Sequence, residues 1–181
     1  MKYGTAGGTV RNVKFGIGPV KNWGGTAEDF PDIERLHPDN MLKRREKKHA
    51  CYRCPIACGG TLKAGTEYQY EKGAPQPEYE TMTSFGAMCL VSNLESIIMA
   101  NDICNRYGMD TISTGVTIAF AMECYEKGLI TSQETDGIEL TWGNHEALVA
   151  MTEKMAKREG FGAILADGSK VAAEKIGKGS E

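Results

Sequence analysis

The sequence predicts an all-α, multihelical domain with an irregular N-terminal arm. From Glu78 onward, apolar residues recur at helical spacing and capping residues separate successive segments. The first forty residues are rich in glycine and lack helical periodicity, which is typical of loops and extended chain. A chain of 181 residues is long enough for one sizeable hydrophobic core or two small ones.

Composition and charge exclude several classes of protein. The chain has 41% hydrophobic and 25% charged residues, as ordinary globular domains have, and its net charge of −3 gives no sign of nucleic-acid binding. Neither a signal peptide nor a membrane-spanning stretch is recognisable in it. We therefore expect a cytoplasmic protein, in which clustered cysteines serve as metal or redox ligands instead of forming disulfides.

Three segments are expected along the chain. Residues 1–50 form the irregular arm and a short helix, "DNMLKRREKKH", with Asp39 or Asn40 as its N-cap. Residues 51–77 form a cysteine loop and a linker broken by glycine and proline, in which "TEYQY" indicates a minor strand. Residues 78–181 form the helical bundle.

Four longer helices are expected in the bundle, in "YETMTSFGAMCL", "NLESIIMANDICNRYG", "DTISTGVTIAFAMECYEKG" and "NHEALVAMTEKMAKREG". The third is apolar on all sides, so we expect residues 110–125 to be the most buried segment. Two short helices around "AILAD" and "SKVAAEKIG" follow. The expected N-caps are Asn93, Asp110 and Asn144, and the expected C-terminal glycines are Gly108 and Gly160.

Three of the six cysteines lie within ten residues, in "CYRCPIACGG". Cys51, Cys54 and Cys58 have C-x-x-C-x-x-x-C spacing, which can present three sulfurs on one side of a turn. Three thiolates from one loop and a fourth from elsewhere are a common ligand set for a [4Fe–4S] cluster.

Two other interpretations of the cysteine motif remain open. His49 precedes Cys51 by two residues, so a Cys₃His zinc site is chemically possible, although four ligands in one short segment make tetrahedral geometry difficult. Unligated thiols are the third possibility. The remaining cysteines, Cys89, Cys104 and Cys124, lie in expected helices and suit the hydrophobic core. A fourth cluster ligand is therefore expected outside this chain.

Five segments, taken in order, resemble the tungsten-containing aldehyde ferredoxin oxidoreductase family. They are "CYRCPIACGG", "PEYETMTSFG", "ANDICNRYGMDTISTG", "TIAFAMECYEKGLIT" and "KREGFGAILADGSKVAAEKIG". The resemblance implies a [4Fe–4S] cluster beside a tungsten (or molybdenum) bis-pterin, oxidation of aldehydes to carboxylic acids, and transfer of electrons to ferredoxin. It also implies that this chain corresponds to the first helical domain only. The family's N-terminal β domain and C-terminal helical domain, which supplies the fourth cluster cysteine, would lie on the same or a separate chain, so the isolated chain is expected to be inactive.

The resemblance also implies roles for individual residues. Cys51, Cys54 and Cys58 match the cluster ligands of the family. Within "NRYGMD", Asn105, Gly108, Met109 and Asp110 match a pterin-contacting turn, although Asn105 and Met109 depart from the family's Asp and Leu. Caps at a helix end and a helix start explain Gly108 and Asp110 equally well.

Glu80 matches a family glutamate close to the metal and is the candidate catalytic residue. An acid in the first turn of a helix is also favoured by the helix dipole, which needs no ligand.

The basic run "KRREKK", from Lys43 to Lys48, is typical of a solvated face, and it would also suit docking of an acidic ferredoxin. Two rival functions remain open: a stand-alone iron–sulfur electron-transfer module, and a structural zinc or metal-free interaction domain.

Overall fold

The structure, a computed structural model, describes residues 2–181. Within this range the chain is mostly helical, with one two-stranded sheet, so the predicted fold class is confirmed. The helices and strands are α1 (Thr9–Lys14), α2 (Pro38–Arg44), β1 (Arg45–His49), β2 (Gly59–Leu62), α3 (Tyr79–Met82), α4 (Leu94–Tyr107), α5 (Thr111–Glu126), α6 (His145–Lys157), α7 (Phe161–Leu165) and α8 (Ser169–Ile176).

The N-terminal arm is built from short turns. Three 3₁₀ turns (Thr5–Gly8, Ala27–Asp29 and Pro31–Leu36) and α1 carry apolar side chains into the common core. Leu36 of the third turn is one of them, and Phe30, which precedes that turn, is also buried. The arm is therefore packed onto the bundle, although it contains little regular structure.

The predicted helix through residues 39–49 is correct only in its first half. α2 ends at Arg44, its N-cap is His37 and not Asp39 or Asn40, and the chain continues directly as β1. β1 pairs antiparallel with β2, with His49 opposite Gly59. Pairing with β2, which follows directly after the cysteine loop, overrides the helical propensity of the charged run.

The predicted strand in "TEYQY" is wrong, because residues 66–70 form an irregular loop. The carboxylate of Glu95, in the first turn of α4, accepts hydrogen bonds from the backbone N–H groups of Thr66, Glu67 and Tyr68 at 2.9, 2.7 and 3.0 Å. Arg44 pairs with the same carboxylate. These donors fix the loop on α4 and leave its backbone unable to join a strand.

The expected caps of α4, α5 and α6 are confirmed. The side chains of Asn93, Asp110 and Asn144 accept hydrogen bonds from backbone N–H groups of the first turns, and Gly108 ends α4 with a φ of 71°. Gly160 does not end α6 as expected. That helix stops at Lys157, and Arg158 adopts the left-handed conformation instead.

The core centres on α4, α5 and the segment that precedes them. The expected first helix is α3 followed by a π-helical turn, Thr83–Ala87, and this turn packs on α5. Ile118 and Met122 of α5 are fully buried, whereas Ile112 in its first turn is 41% exposed. α5 is thus a core helix, but α4 and the π turn are buried more continuously than residues 110–125. No helix within residues 2–181 is long and apolar enough to cross a membrane.

Candidate functional site

The cysteine motif lies in the connection between β1 and β2. Residues 50–58 form this connection, and the pairs His49–Gly59 and Lys48–Gly60 close its base. The backbone N–H of Cys54 donates to the carbonyl oxygen of Cys51 at 2.9 Å. Arg53 and Ala57, which precede Cys54 and Cys58, have φ values of 58° and 49°. A left-handed residue therefore bends the chain before each of the last two thiols.

The three thiols are accessible and free of disulfides. Cys51 is exposed, and Cys54 and Cys58 are half-buried. Thiolates of this kind suit iron–sulfur clusters and zinc, so the donor set fits either group chemically. Over residues 2–181, no three His, Cys, Asp or Glu side chains lie close enough together to hold a metal ion. Ligation would therefore require the loop to draw its sulfurs together.

The other cysteines lie in the core, as predicted. Cys89, Cys104 and Cys124 are buried in the π turn's exit, α4 and α5 respectively. Burial raises the pKa of Cys89 far above its usual range and raises that of Cys104 to about 11. These groups are thus protonated thiols at neutral pH and poor metal ligands.

A hydrogen-bond network holds the base of the cysteine loop. Arg45 Nε donates to Gln76 Oε1 at 2.7 Å, and the other guanidinium nitrogens donate to the carbonyl oxygens of Lys2 and Tyr3 at 2.8 and 3.1 Å. The backbone N–H of Gln76 donates to Gly60 O at 2.8 Å. Gln76 is 4% exposed and Arg45 is half-buried, so this partly buried network supports β2.

The N-terminal segment also contacts the loop directly. Gly4 has a φ of 75°, and a Cβ at this position would overlap the carbonyl oxygen of Cys58. The next residue, Thr5, donates from its hydroxyl to Glu78 and accepts a hydrogen bond from the backbone N–H of Tyr79 at 2.9 Å. This contact connects the cysteine loop to the start of α3.

Glu80 lies in the first turn of α3 and is exposed. Within the described range its carboxylate has no hydrogen bond or ion pair, whereas its backbone carbonyl accepts from the Thr83 hydroxyl at 3.1 Å. The carboxylate is therefore free to contact a group brought against this surface. Its role remains a prediction.

The predicted pterin-contacting turn forms the junction of α4 and α5. Asp110 Oδ2 accepts a hydrogen bond from the backbone N–H of Ser113 at 2.6 Å, and this bond lowers the pKa of the Asp110 carboxyl. Met109, half-buried, donates from its N–H to the carbonyl oxygen of Cys104 at 2.9 Å. Asn105 Nδ2 donates to the carbonyl oxygen of Asn101 at 2.7 Å. Each contact stabilises the turn, and contact with a cofactor stays a prediction.

A cleft of about 430 Å³ opens beside this turn. One wall is α5, and the other is the loop after α7, which contains Asp167 and Gly168. Asp167 accepts from Arg158 and Lys175 at 2.7 and 3.2 Å, and Arg158, the stronger influence, lowers the pKa of its carboxyl. Sequence reasoning missed this wall. The available signal was the Asp-Gly pair between two short helices.

Contacts made by neighbours of the predicted site residues connect α3 to the cysteine loop and to α5. Thr81, next to Glu80, shares a hydrogen bond of 2.8 Å with the hydroxyl of Thr111, next to Asp110. Glu80 follows Glu78, the partner of the Thr5 hydroxyl, by two residues. α3 therefore connects the cysteine loop to the α4–α5 turn through the contacts of Thr5 and Thr81. The Glu80 carboxylate takes no part in these contacts. His49, the fourth ligand of the zinc hypothesis, is exposed on β1 and outside any group of ligands in the part of the chain described.

Comparisons with known proteins show which family this chain resembles. The family model described as "Aldehyde ferredoxin oxidoreductase, domains 2 & 3" matches residues 1–181. Tungsten-containing aldehyde ferredoxin oxidoreductases from Thermococcus kodakarensis and Pyrococcus furiosus are 45% and 42% identical to the chain over 179 residues, or 97% of it. The chain spans only 28% of the length of each relative.

More distant relatives carry other names. An "Aliphatic sulfonate oxidoreductase, WOR-like subunit" from Pyrococcus furiosus is 32% identical over 163 residues, covering 87% of the chain and 25% of the relative. A chain in the active-site complex BamBC of benzoyl coenzyme A reductase, solved with 1,5-dienoyl-CoA, superposes with a TM-score of 0.74. It is 26% identical, and the match covers 94% of this chain and 25% of that one. The same domain thus occurs in enzymes named for different substrates.

Proposed function

The chain belongs to the aldehyde ferredoxin oxidoreductase family, and we propose that it is the first helical, cofactor-supporting domain of an enzyme that oxidises aldehydes to carboxylic acids. The observation that carries the proposal is the set of contacts that connects the cysteine loop through Gly4 and Thr5 to α3, and α3 through Thr81 to Thr111 beside Asp110. The match to the family along the whole chain supports it.

The first proposed role is to hold an iron–sulfur cluster. Cys51, Cys54 and Cys58 would supply three thiolates of a [4Fe–4S] cluster, and the C-terminal helical domain would supply the fourth. The Arg45–Gln76 network supports this role because it fixes the base of the loop while its thiols stay accessible.

The second proposed role is to face a tungsten (or molybdenum) bis-pterin held mainly by an N-terminal β domain. When bound, that group supplies the oxygen-transfer and two-electron chemistry of aldehyde oxidation. Asn105, Gly108, Met109 and Asp110 would contact its polar edge, since their turn borders an open cleft. Glu80 would accept or donate a proton at the aldehyde, since its carboxylate has no partner within residues 2–181.

The proposal also names partners and a compartment. The two missing domains, on the same or a separate chain, complete the enzyme, and ferredoxin receives the electrons. We propose the cytoplasm as the compartment, since reducing conditions there keep such cysteines free for metal. These 181 residues by themselves are proposed to be inactive, because they match only 28% of the relatives' length and the pterin-holding part of those enzymes would lie outside the match.

A chimera tests the proposal. The 181 residues replace the matching segment of the Thermococcus kodakarensis relative, and aldehyde oxidation is followed with a viologen acceptor. We expect turnover that depends on tungsten, and we expect Glu80→Gln to reduce kcat by about 10²-fold or more. Glu174→Gln, at an exposed acid on α8, is the matched control. A folded chimera with bound tungsten and no turnover would contradict the proposal, as would full turnover in Glu80→Gln.

A further inference from the structure

We propose that a cluster of hydroxyl groups between α3 and α5 is a positioning device that fixes Glu80 relative to Asp110. This hydroxyl cluster consists of the side chains of Thr81, Thr83, Ser84 and Thr111. The inference rests on the proposed function, because the position of Glu80 matters for turnover only if its carboxylate acts at the aldehyde. It goes beyond that function by giving a role to residues that act through Glu80 and Asp110.

α3 is too short to fix Glu80 by itself. The helix has four residues, Tyr79–Met82, and the Met82 N–H donates to the carbonyl oxygen of Glu78 at 2.9 Å. A single helical turn is unstable in water, since its first hydrogen bond requires several residues to be ordered at once. The Glu80 carboxylate does not anchor the turn, because it has no partner within residues 2–181. The position of Glu80 therefore depends on contacts that its neighbours make.

Buried hydroxyls bind the carbonyl oxygens of α3. The Thr83 hydroxyl lies 3.0 Å from the carbonyl oxygen of Tyr79 and 3.1 Å from that of Glu80, and it donates to both. The Ser84 hydroxyl donates to the carbonyl oxygen of Thr81 at 3.2 Å. Thr83 and Ser84 are each 2% exposed, and hydrogen bonds of buried groups are costly to leave unmade. The π turn therefore stabilises α3 from its C-terminal end.

The same cluster connects α3 to the start of α5. The hydroxyls of Thr81 and Thr111 share a hydrogen bond of 2.8 Å, and the Ser84 hydroxyl lies 3.3 Å from the carbonyl oxygen of Thr111. Thr81 is 5% exposed and directly follows Glu80. Thr111 directly follows Asp110, the N-cap of α5. The hydroxyl pair therefore joins the residue beside the candidate acid to the residue beside the proposed cofactor-contacting turn.

Close packing of the two backbones keeps the hydroxyl pair within reach. Gly115 of α5 packs against the π turn, and a Cβ at this position would lie 2.7 Å from the carbonyl carbon of Ser84. The Cys89 thiol lies 3.5 Å from the carbonyl oxygen of Ser84 and 3.6 Å from that of Gly115. Glycine therefore allows α5 to approach the π turn, and the thiol connects the two. π-helical turns within α-helical segments are frequent at functional sites.

A fixed position suits the proton transfer proposed for Glu80. A general acid or base must lie within hydrogen-bond reach of the atom that it serves, and a displacement of about 1 Å can lower a rate about 10²-fold. Such a displacement weakens an interaction made in the transition state and leaves binding of the substrate nearly unchanged. Loss of the Thr81–Thr111 hydrogen bond should therefore lower kcat and leave KM nearly unchanged.

Thr81→Val in the chimera tests this role, because valine has nearly the shape of threonine and lacks the hydroxyl. Thr81→Ser keeps the hydroxyl, and Thr111→Val removes the same bond from α5. The matched control is Thr152→Val, since Thr152 is also buried and its hydroxyl donates to the carbonyl oxygen of Leu148 within α6 at 2.8 Å. We expect both Thr81→Val and Thr111→Val to lower kcat about tenfold or more, and Thr81→Ser and Thr152→Val to keep it.

Amide hydrogen exchange of the 181-residue chain gives a measurement that needs no cofactor. The Met82 and Met88 amides donate within α3 and the π turn, so their exchange reports how firmly these turns are held. Thr81→Val should speed their exchange about fivefold, the effect of losing one ordinary hydrogen bond. Thr81→Ser should keep the wild-type rates, and Thr152→Val should change exchange in α6 only.

The failure of the positioning role can be told apart from failure of the proposed function. Wild-type kcat in Thr81→Val, together with a strong effect of Glu80→Gln, would overturn the positioning role alone. Unchanged exchange of the Met82 amide in Thr81→Val would also overturn it, and so would an equal loss of kcat in Thr152→Val. Full turnover in Glu80→Gln would contradict the proposed function and remove the basis of the positioning role with it.

Discussion

Arg45 and Gln76 are joined by a hydrogen bond of 2.7 Å between Nε and Oε1, and both side chains also donate to the backbone carbonyl oxygen of Tyr3. One guanidinium thereby fixes the N-terminal segment, β1 and β2 relative to one another. Arginine is suited to this position because its planar fork reaches three acceptors at once.

We predict that Arg45→Lys destabilises the protein, because an ammonium cannot reproduce this set of hydrogen bonds. The free energy of unfolding, measured by urea denaturation, should fall by about 1–3 kcal/mol, the cost of leaving buried polar groups unpaired. Arg53→Lys, at an exposed position in the loop, is the control and should leave it nearly unchanged. Equal stability of both variants would show that the network does not support the fold.

We predict that Gly4→Ala disturbs the same region from the other side. The new Cβ would overlap the carbonyl oxygen of Cys58, and the φ of 75° at this position is costly for alanine. Loss of stability by about 1–2 kcal/mol, with NMR shift changes at residues 57–60, is expected. Gly73→Ala is the control, because Gly73 also has a positive φ (97°) but has open space around it. It shows the effect of backbone strain without a steric clash. Similar shift changes near Cys58 in both variants would argue against the contact.

We predict that Glu95 makes the free energy of unfolding depend on pH in the acid range. Burial raises the pKa of this carboxyl, but hydrogen bonds from Thr66 and the backbone outweigh burial and lower the pKa to about 2. A depressed carboxyl pKa stabilises the fold above the unfolded value of 4.5, and this contribution is lost as the pH falls from there toward 2. The wild type should therefore lose on the order of 2–3 kcal/mol across this window through Glu95 alone.

The variant Glu95→Gln should have a lower free energy of unfolding than the wild type already at neutral pH. In urea denaturation at a series of pH values, its free energy of unfolding should fall less steeply below pH 4.5 than that of the wild type. The matched control is Glu159→Gln, at an exposed acid beyond α6. If the free energy of unfolding of Glu95→Gln fell as steeply with decreasing pH as that of the wild type, Glu95 would not be the source of the pH dependence.

Substitutions at Asp110 can separate its role as N-cap of α5 from its proposed contact with the cofactor. Asparagine is as good an N-cap as aspartate, so Asp110→Asn should keep α5 stable, whereas Asp110→Ala should cost about 1 kcal/mol. In the chimera, a contact to the cofactor that needs the carboxylate would be lost in both variants. Reduced pterin content in Asp110→Asn with unchanged thermal stability is the expected result. Normal pterin content there would leave Asp110 as a cap only.

Much of the fold was predictable because its signals are local. Asn93, Asp110 and Asn144 each precede an apolar run, and their side chains cap the helices as predicted. The end of α6 was misplaced by local reasoning. Arg158, not Gly160, takes the left-handed position, and its side chain pairs with Asp167. Asp136 accepts a hydrogen bond from the backbone N–H of Phe161 at 2.8 Å.

The hairpin was not predictable from local signals. "REKKH" has the composition of an exposed helix, and its partner Gly59–Leu62 contains two glycines, which are poor strand formers. What makes this a hairpin is support from distant residues, above all Gln76 and the N-terminal segment. The candidate site follows the same rule. The spacing of the cysteines was visible in the sequence, but the connection of their loop to Glu78 through Thr5 was not.

The most direct test of the account is the metal content of the cysteine loop. The chain is purified anaerobically, reconstituted with iron and sulfide, oxidised briefly and examined by electron paramagnetic resonance. The account predicts about four irons per chain and a [3Fe–4S] signal, because the iron that lacks a thiolate from this chain is lost first. The signal should disappear in Cys54→Ser and persist in Cys124→Ala, at a buried cysteine of α5. Stoichiometric zinc bound by His49 and the three cysteines, with no uptake of iron, would contradict it.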